Sequence, residues 1–519
     1  MFSKEECDKF IQEGAVTKPD PDISGIGVVL AFLISAYVSF AVVLGAYIFG
    51  IVEPELLSPA DVRIMRIQSR IHNYPRLHHL MQHAILVLSD QQIVTGIAIM
   101  AAGFVGLRSG ETNVYHYQIV LYLAWLASSV HLSALTFLRP FLASHPAVRA
   151  WRLVGMVVLF FMLIVGLVPT VSYDWGIINI SNPSDATIEI DDQTGWGIPA
   201  RCFWARTYGD GVNDDAPIGY VLLVISYVWK VGDMFGSTRK VFASGLRGPL
   251  ERWIENVLSI AARRYLRTRQ KRYLWLFRLL LVPFIPFITL MEFLSSLSAS
   301  LWLSLWGLVF GTIQVVVPRQ QNYVQTAHKE SEWGFGQLIP MILLIQPLGA
   351  LTEHMWVRDS HAEQKHPIDK SATAQETTKE EEKVPALQSL LPDSSSSSVM
   401  KSNRSLIEIL GREKLPQSER ASSQDATSTT TEMVLSSRLG VVLLVLIQLT
   451  LIGGTCFILY LNAVSIGYFR GENWLYALIV LGFYVASSWL ATIVISPFCR
   501  IGKDSSGCDT LDGTLNGDP

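Results

Sequence analysis

The sequence predicts an all-α polytopic membrane protein, a transmembrane helical bundle of about ten hydrophobic helices carrying one long disordered linker. Half of the 519 residues are hydrophobic and only 16% are charged, with a mean hydropathy of +0.33, a balance unsuited to a water-soluble chain of this length. The apolar residues gather into runs at 26–50, 86–107, 117–138, 153–172, 217–236, 273–295, 299–318, 335–356, 439–466 and 474–498, each about long enough to cross a bilayer. Stretches such as 276–287 and 441–447 do not alternate polar with apolar residues, which argues against a barrel. Helices remain, because their backbone satisfies its own hydrogen bonds in hydrocarbon.

Basic residues stay on the cytosolic side and so orient the runs. Residues 1–24 form an acidic outer tail, because the connection after the first run holds Arg63, Arg66, Arg70 and Arg76. No cleavable signal is expected, since the first apolar run starts late and is long enough to span by itself. A bundle of about eight helices is expected over 25–356. Its loop 173–216 falls outside, is acidic, and bears Asn179-Ile180-Ser181, a glycosylation acceptor at Asn179. Cys7 and Cys202 share that oxidising face as a candidate disulfide, while Cys456 lies in a run and Cys499 and Cys508 in the last tail.

Loop 237–272 is strongly basic and is expected in the cytosol. Within it Leu250, Trp253, Ile254, Val257, Leu258, Ala261 and Tyr265 recur at helical spacing beside Arg263, Arg264, Arg267 and Arg269. That pattern suits an interfacial helix whose arginines meet anionic lipid headgroups.

Residues 357–436 are rich in Ser and Thr, with an unbroken serine run at 394–398 and acidic residues at 380–382. Such a composition buries too little apolar area to offset chain entropy, so a disordered linker is expected. A two-helix hairpin over 437–498 and a disordered tail over 499–519 complete the chain. The linker suits a cytosolic kinase or adaptor, yet eight crossings from an outer amino terminus leave it outside. The conflict disappears if 335–356, interrupted by Pro340 and Pro347, enters and returns without crossing.

Polar residues in spans are costly and therefore point to function. Asp90, Gln91 and Gln92 cluster at the entry of the second run, where they are read as a helix cap. His131 lies among Ser128, Ser129 and Ser133 in the third run. Lys230 and Asp233 near the end of the fifth are read as a local ion pair with the lysine snorkelling to the interface. His79 and His83 have a metal-compatible spacing beside His72 and His78, but no second histidine box accompanies them and no metal is assigned. GxSxG, GxxxxGK and GxGxxG motifs are absent, so no catalytic residue or cofactor is assigned. Membrane lipids, rather than nucleic acid, are the expected partners.

Four motifs carry a resemblance: Asp22-Ile23-Ser24-Gly25-Ile26-Gly27-Val28, Leu88-Ser89-Asp90-Gln91-Gln92 followed by Thr95-Gly96-Ile97-Ala98-Ile99, Tyr115-His116 with Trp125 and His131-Leu132, and Trp333-Gly334-Phe335-Gly336-Gln337 with Pro340. Their order over roughly residues 20–356 resembles a group of filamentous ascomycete multi-pass membrane proteins of unknown function. The resemblance implies a fungal membrane protein with an outer amino terminus and brings no activity with it. Non-enzymatic sensing or scaffolding at the plasma membrane or an endomembrane is the expected role. The alternatives are a transporter or channel for a small solute, and an embedded enzyme acting on a lipid or hydrophobic metabolite.

Overall fold

A computed structural model describes residues 3–13, 15–63, 65–172, 175–176, 193–204, 215–235, 248–268, 270–320, 330, 332–347, 349, 352–353, 356, 438–464 and 473–495. Helix α1 is Lys4–Glu13, strand β1 Ala15–Val16, α2 Pro21–Ser24, α3 Ile26–Ile48, α4 Pro59–Arg63 and α5 Pro75–Ser109. Helices α6 (Val114–Ser144) and α7 (Pro146–Gly166) follow, then strand β2 (Gln193–Thr194) and α8 (Asp215–Met234). The rest comprises α9 (Gly248–Thr268), α10 (Lys271–Leu294), α11 (Leu297–Gln320), α12 (Phe335–Leu343), α13 (Arg438–Val464) and α14 (Asn473–Ile495). Among the described residues seven helices are long and apolar enough to cross a membrane, and shorter apolar helices run over Ala216–Gly232 and Ile479–Val494. The chain is a helical membrane protein of several spans. Asn179, Arg269, the linker 357–436 and the tail 499–519 lie outside the described residues, as do the side chains of Arg263 and Asp233.

Helix α6 is the axis of the bundle, buried at every position from 114 to 138 and surrounded by α3, α5, α7, α8 and α11. Small residues let the neighbours come close. A Cβ on Gly103 of α5 would lie 2.6 Å from Val120 Cγ1, and one on Gly311 of α11 would lie 2.8 Å from Trp125 Cδ1. The turn between α5 and α6 is short because Gly110, at φ +84°, ends α5 in the left-handed region and the Asn113 side chain then accepts from the His116 N–H at 2.8 Å.

The two ends of the bundle are chemically distinct. At one, Cys7 is bonded to Cys202, and β1 pairs antiparallel with β2 through Ala15 opposite Thr194 and Val16 opposite Gln193. Cys7 and residues 15–16 are thereby held against the 193–204 segment. At the other end buried Asp61 accepts from the Tyr47 hydroxyl at 2.7 Å and from the backbone N–H groups of Leu297 and Ser298 at 3.2 and 3.4 Å. A carboxylate thus caps the start of α11 from a distant loop, satisfying N–H groups that no helical carbonyl reaches.

That cap reverses one expectation. Counting crossings from an outer amino terminus sends 299–318 from outside to inside, but α11 starts on Asp61 and ends at the disulfide end, where Arg319 donates to the Ser24 carbonyl. Helix α8 runs down to the Asp61 end, so an even number of crossings separates it from α11. In that interval α9 and α10 pack as a pair, Leu258 and Ala261 lying against Phe277, Phe284 and Ile288. Among the described side chains of the α9 stripe, Leu258, Ala261 and partly Ile254 are covered by α10, while Trp253 and the nearby Ile260 are exposed.

The run 335–356 is not one spanning helix. It forms a nine-residue helix ending at Leu343, about 14 Å long against a hydrocarbon core of about 30 Å. The helix gives way to a turn at 344–345, after which Gln346 and Pro347 are helical again. Helix α13 packs on α10 through Leu439 and Leu443 against Ile285. It reaches α11 through Gln448, whose Oε1 accepts from Trp302 Nε1 at 2.6 Å.

Candidate functional site

Near the middle of the 35-residue α5, four consecutive polar residues each bond to a different helix. Ser89 Oγ lies 2.6 Å from His131 Nδ1 on α6, and Asp90 Oδ1 lies 2.7 Å from Arg152 Nη2 on α7. Gln91 Nε2 donates at 3.0 Å to the Leu343 carbonyl of α12, the group that Pro347 leaves unbonded, and Gln92 Nε2 donates to Ser35 Oγ of α3. Successive residues on an α-helix are rotated by about 100°, so four of them sweep its whole circumference. A contiguous polar quartet thereby becomes a hub touching every neighbour at one depth.

The hub corrects the capping expectation for Asp90, Gln91 and Gln92. Helix α5 begins at Pro75, well before the apolar run, so these residues have no free helical N–H groups to cap. Arg152 was missed for a related reason. It precedes the fourth apolar run, yet Pro146 starts α7 and carries Arg152 into its second turn, where its guanidinium is buried and donates to the Leu86 carbonyl at 3.1 Å. A proline read as a first helical residue would have placed it there.

Several hub atoms have no hydrogen-bond partner among the described residues: His131 Nε2, Gln91 Oε1, Gln92 Oε1, and Arg152 Nε and Nη1. Away from water each such group costs kilocalories unless a polar species meets it. The hub thus brings an imidazole nitrogen, two nitrogens of the guanidinium paired with Asp90, and two amide oxygens to one level of the bundle, each with capacity for a polar contact. Lys230 is buried and donates to Thr136 on α6 and Ser300 on α11, while the side chain of Asp233, its expected partner, lies outside the described residues. Arg264 and Arg267 are exposed on α9.

A second network closes the disulfide end. Buried Glu330 accepts from His116 Nε2 at 2.9 Å, from the Tyr115 hydroxyl at 3.1 Å and from the Asp20 N–H at 3.3 Å, with Arg319 Nη1 3.8 Å away. Burial pushes this carboxyl up, but hydrogen bonds from His116, Ser24 and the Asp20 N–H outweigh burial and hold it below the ordinary glutamate value. Gln337 continues the network, donating to the Glu332 carbonyl at 2.6 Å and accepting from the Gly27 N–H at 3.1 Å. Three stretches far apart in sequence, at 20–27, 115–116 and 330–337, meet here. Glu330 escaped the sequence reading because nothing local marks an acid between two runs as buried. Among the described residues no cluster of three or more His, Cys, Asp or Glu side chains is arranged to hold a metal.

Fold and site together define a polytopic helical membrane protein with a polar hub inside its bundle. The chain is similar to two proteins of the fungus Elsinoe fawcettii. One is the elsinochromes biosynthesis cluster protein HP3, 38% identical over 25% of this chain and 51% of that protein. The other is the elsinochromes biosynthesis cluster protein HP2, 24% identical over 38% of this chain and 60% of that protein. The chain thus spans about half to three-fifths of the curated relatives it matches. No protein-family model and no solved structure matches it.

Proposed function

We propose that this protein serves a fungal biosynthetic cluster as a membrane carrier, moving or sequestering a small product of the cluster rather than making it. The observation that supports this reading best is the hub: ionisable and amide side chains at mid-depth, where several helices meet, each keep an atom with no hydrogen-bond partner among the described residues, and such groups are the usual mark of a solute or proton pathway. The description of both relatives as biosynthesis cluster proteins supplies the setting. No reaction is assigned to the hub. In the producing fungus, deleting the gene is expected to shift the cluster product from medium to mycelium without accumulation of precursors, measured by chromatography of both fractions. His131→Ala is expected to reproduce that shift. Accumulated precursors would instead establish an enzyme, and an unchanged distribution would remove the carrier.

Sensing or scaffolding is the second reading, favoured by the exposed Trp253, Arg264 and Arg267 on α9. There these side chains contact anionic headgroups, and the 357–436 linker meets a kinase or adaptor. Under that reading, deleting the linker alters transcripts of neighbouring genes while product distribution stays constant.

A further inference from the structure

Helices α9 and α10 are joined by only two residues and share a core in which Leu258 and Ala261 meet Phe277, Phe284 and Ile288. The pair is therefore a hairpin, and the last two turns of α9 and the first turn of α10 form its tip. Four exposed cations stand there: Arg264 and Arg267, one turn apart on α9, and Lys271 and Arg272 at the start of α10. The sequence supplies no local counter-charge, since no Asp or Glu occurs between Glu255 and Glu292. Among the described residues none of the four is in an ion pair. Local bonds fix the tip. Thr268 Oγ1 donates to the Arg264 carbonyl at 2.7 Å, closing the last turn of α9, and the Arg272 guanidinium lies 4.9 Å over the Tyr273 ring. Behind the cations the same side of α10 turns apolar, because Trp275 and Leu279 follow Lys271 at four-residue steps and both are exposed. Charge, then tryptophan, then aliphatic carbon is the order met on passing from headgroups into acyl chains.

We propose that the α9–α10 tip binds a phospholipid whose headgroup carries phosphomonoester groups, and hence several negative charges, as phosphorylated inositol lipids do. A monovalent headgroup answers one of the four cations and leaves the others repelling one another. A polyanion meets several at once, and its phosphate oxygens accept paired hydrogen bonds from the guanidinium groups. Trp275 and Leu279 favour a lipid over a free polyphosphate, since they lie against its acyl chains. The site deepens the sensing or scaffolding reading and rests on its headgroup contact: α9 meets anionic lipid there, and the first turn of α10 makes that contact selective.

The full chain in phosphatidylcholine nanodiscs is titrated with tritiated dioctanoyl phosphatidylinositol bisphosphate, with empty discs as the reference. Saturable binding above that reference is expected, displaced by the unlabelled lipid at concentrations where dioctanoyl phosphatidylserine and inositol trisphosphate displace little. Arg264→Gln with Arg267→Gln, and separately Lys271→Gln with Arg272→Gln, are each expected to weaken binding by about tenfold or more, the worth of one charge-assisted hydrogen bond. Trp275→Ser is expected to weaken the lipid and leave the trisphosphate unchanged. Wild-type binding is expected to fall as salt rises, which keeps the test decisive if a variant fails to fold. Equal displacement by phosphatidylserine overturns the polyanion site while leaving the headgroup contact of the broader reading, and no binding of either lipid removes both. Trisphosphate displacing as well as the lipid assigns the tip to a free polyphosphate and overturns the proposal. Salt-independent binding, or undiminished binding in well-folded variants of both pairs, overturns it too.

Discussion

Replacing Glu330 by Ala removes one side chain and leaves three donors, His116 Nε2, the Tyr115 hydroxyl and the Asp20 N–H, without their acceptor. Each lost hydrogen bond is worth about 1 kcal/mol, and stranding the neighbouring Arg319 charge brings the total to roughly 3–5 kcal/mol. The three donors belong to the amino-terminal segment and to α6, and Arg319 belongs to α11, so the damage is expected to release the closed end as a unit. Fluorescence-detected size-exclusion after heating reads this as a drop of about 5–10 °C in apparent melting temperature. Glu330→Gln keeps an acceptor and should lose less. The pH dependence supplies the sharper check, because the folded carboxyl sits below its unfolded value near 4.5. Its stabilisation is fully present above that unfolded value and is lost as the pH falls through the lowered folded value. The gap between wild type and Glu330→Gln should therefore be constant at neutral pH and close on acidification below about 4.5. A pH-independent gap, or Glu330→Ala melting with wild type, would refute the buried-carboxylate account.

Three other perturbations address separate parts of the bundle. Cys202→Ser opens a loop whose ends are 195 residues apart, a chain-entropy loss of about 5 kcal/mol, and non-reducing gels should lose the mobility difference that reductant produces in wild type. Arg152→Gln alone leaves the half-exposed Asp90 carboxylate without its partner and should destabilise by about 1–3 kcal/mol, whereas Arg152→Gln with Asp90→Asn should recover much of that loss in thermal assays. Gly103→Leu forces a side chain into Val120 and should cost about 1–3 kcal/mol in detergent melts, while the same change at Gly45, where a Cβ meets nothing within 4 Å, should be silent.

The span positions were legible because hydropathy and length act locally: nine of the ten apolar runs overlie long helices among the described residues. The tenth breaks at 344–345, between the two prolines, with Pro340 inside the helix that precedes the break. The site was only half legible. Asp90, Gln91, Gln92, His131 and Lys230 drew notice as polar residues in apolar surroundings, but their partners Ser35, Arg152, Thr136, Ser300 and the Leu343 carbonyl did not, since each is unremarkable on its own segment.

By itself the sequence determined that the chain is helical and membrane-embedded, because transferring a residue to hydrocarbon depends mainly on its own chemistry and that of its immediate neighbours. Only the tertiary structure decided that Asp61 caps α11 and so sets its direction, that Glu330 closes the disulfide end, and that four successive polar residues of α5 serve four different helices. Those outcomes depend on which helices are adjacent and at what rotation. Adjacency is a property of the whole packed bundle, and lipid, as apolar as most of the side chains involved, gives a single helix little reason to prefer one neighbour until small residues and hydrogen bonds select it.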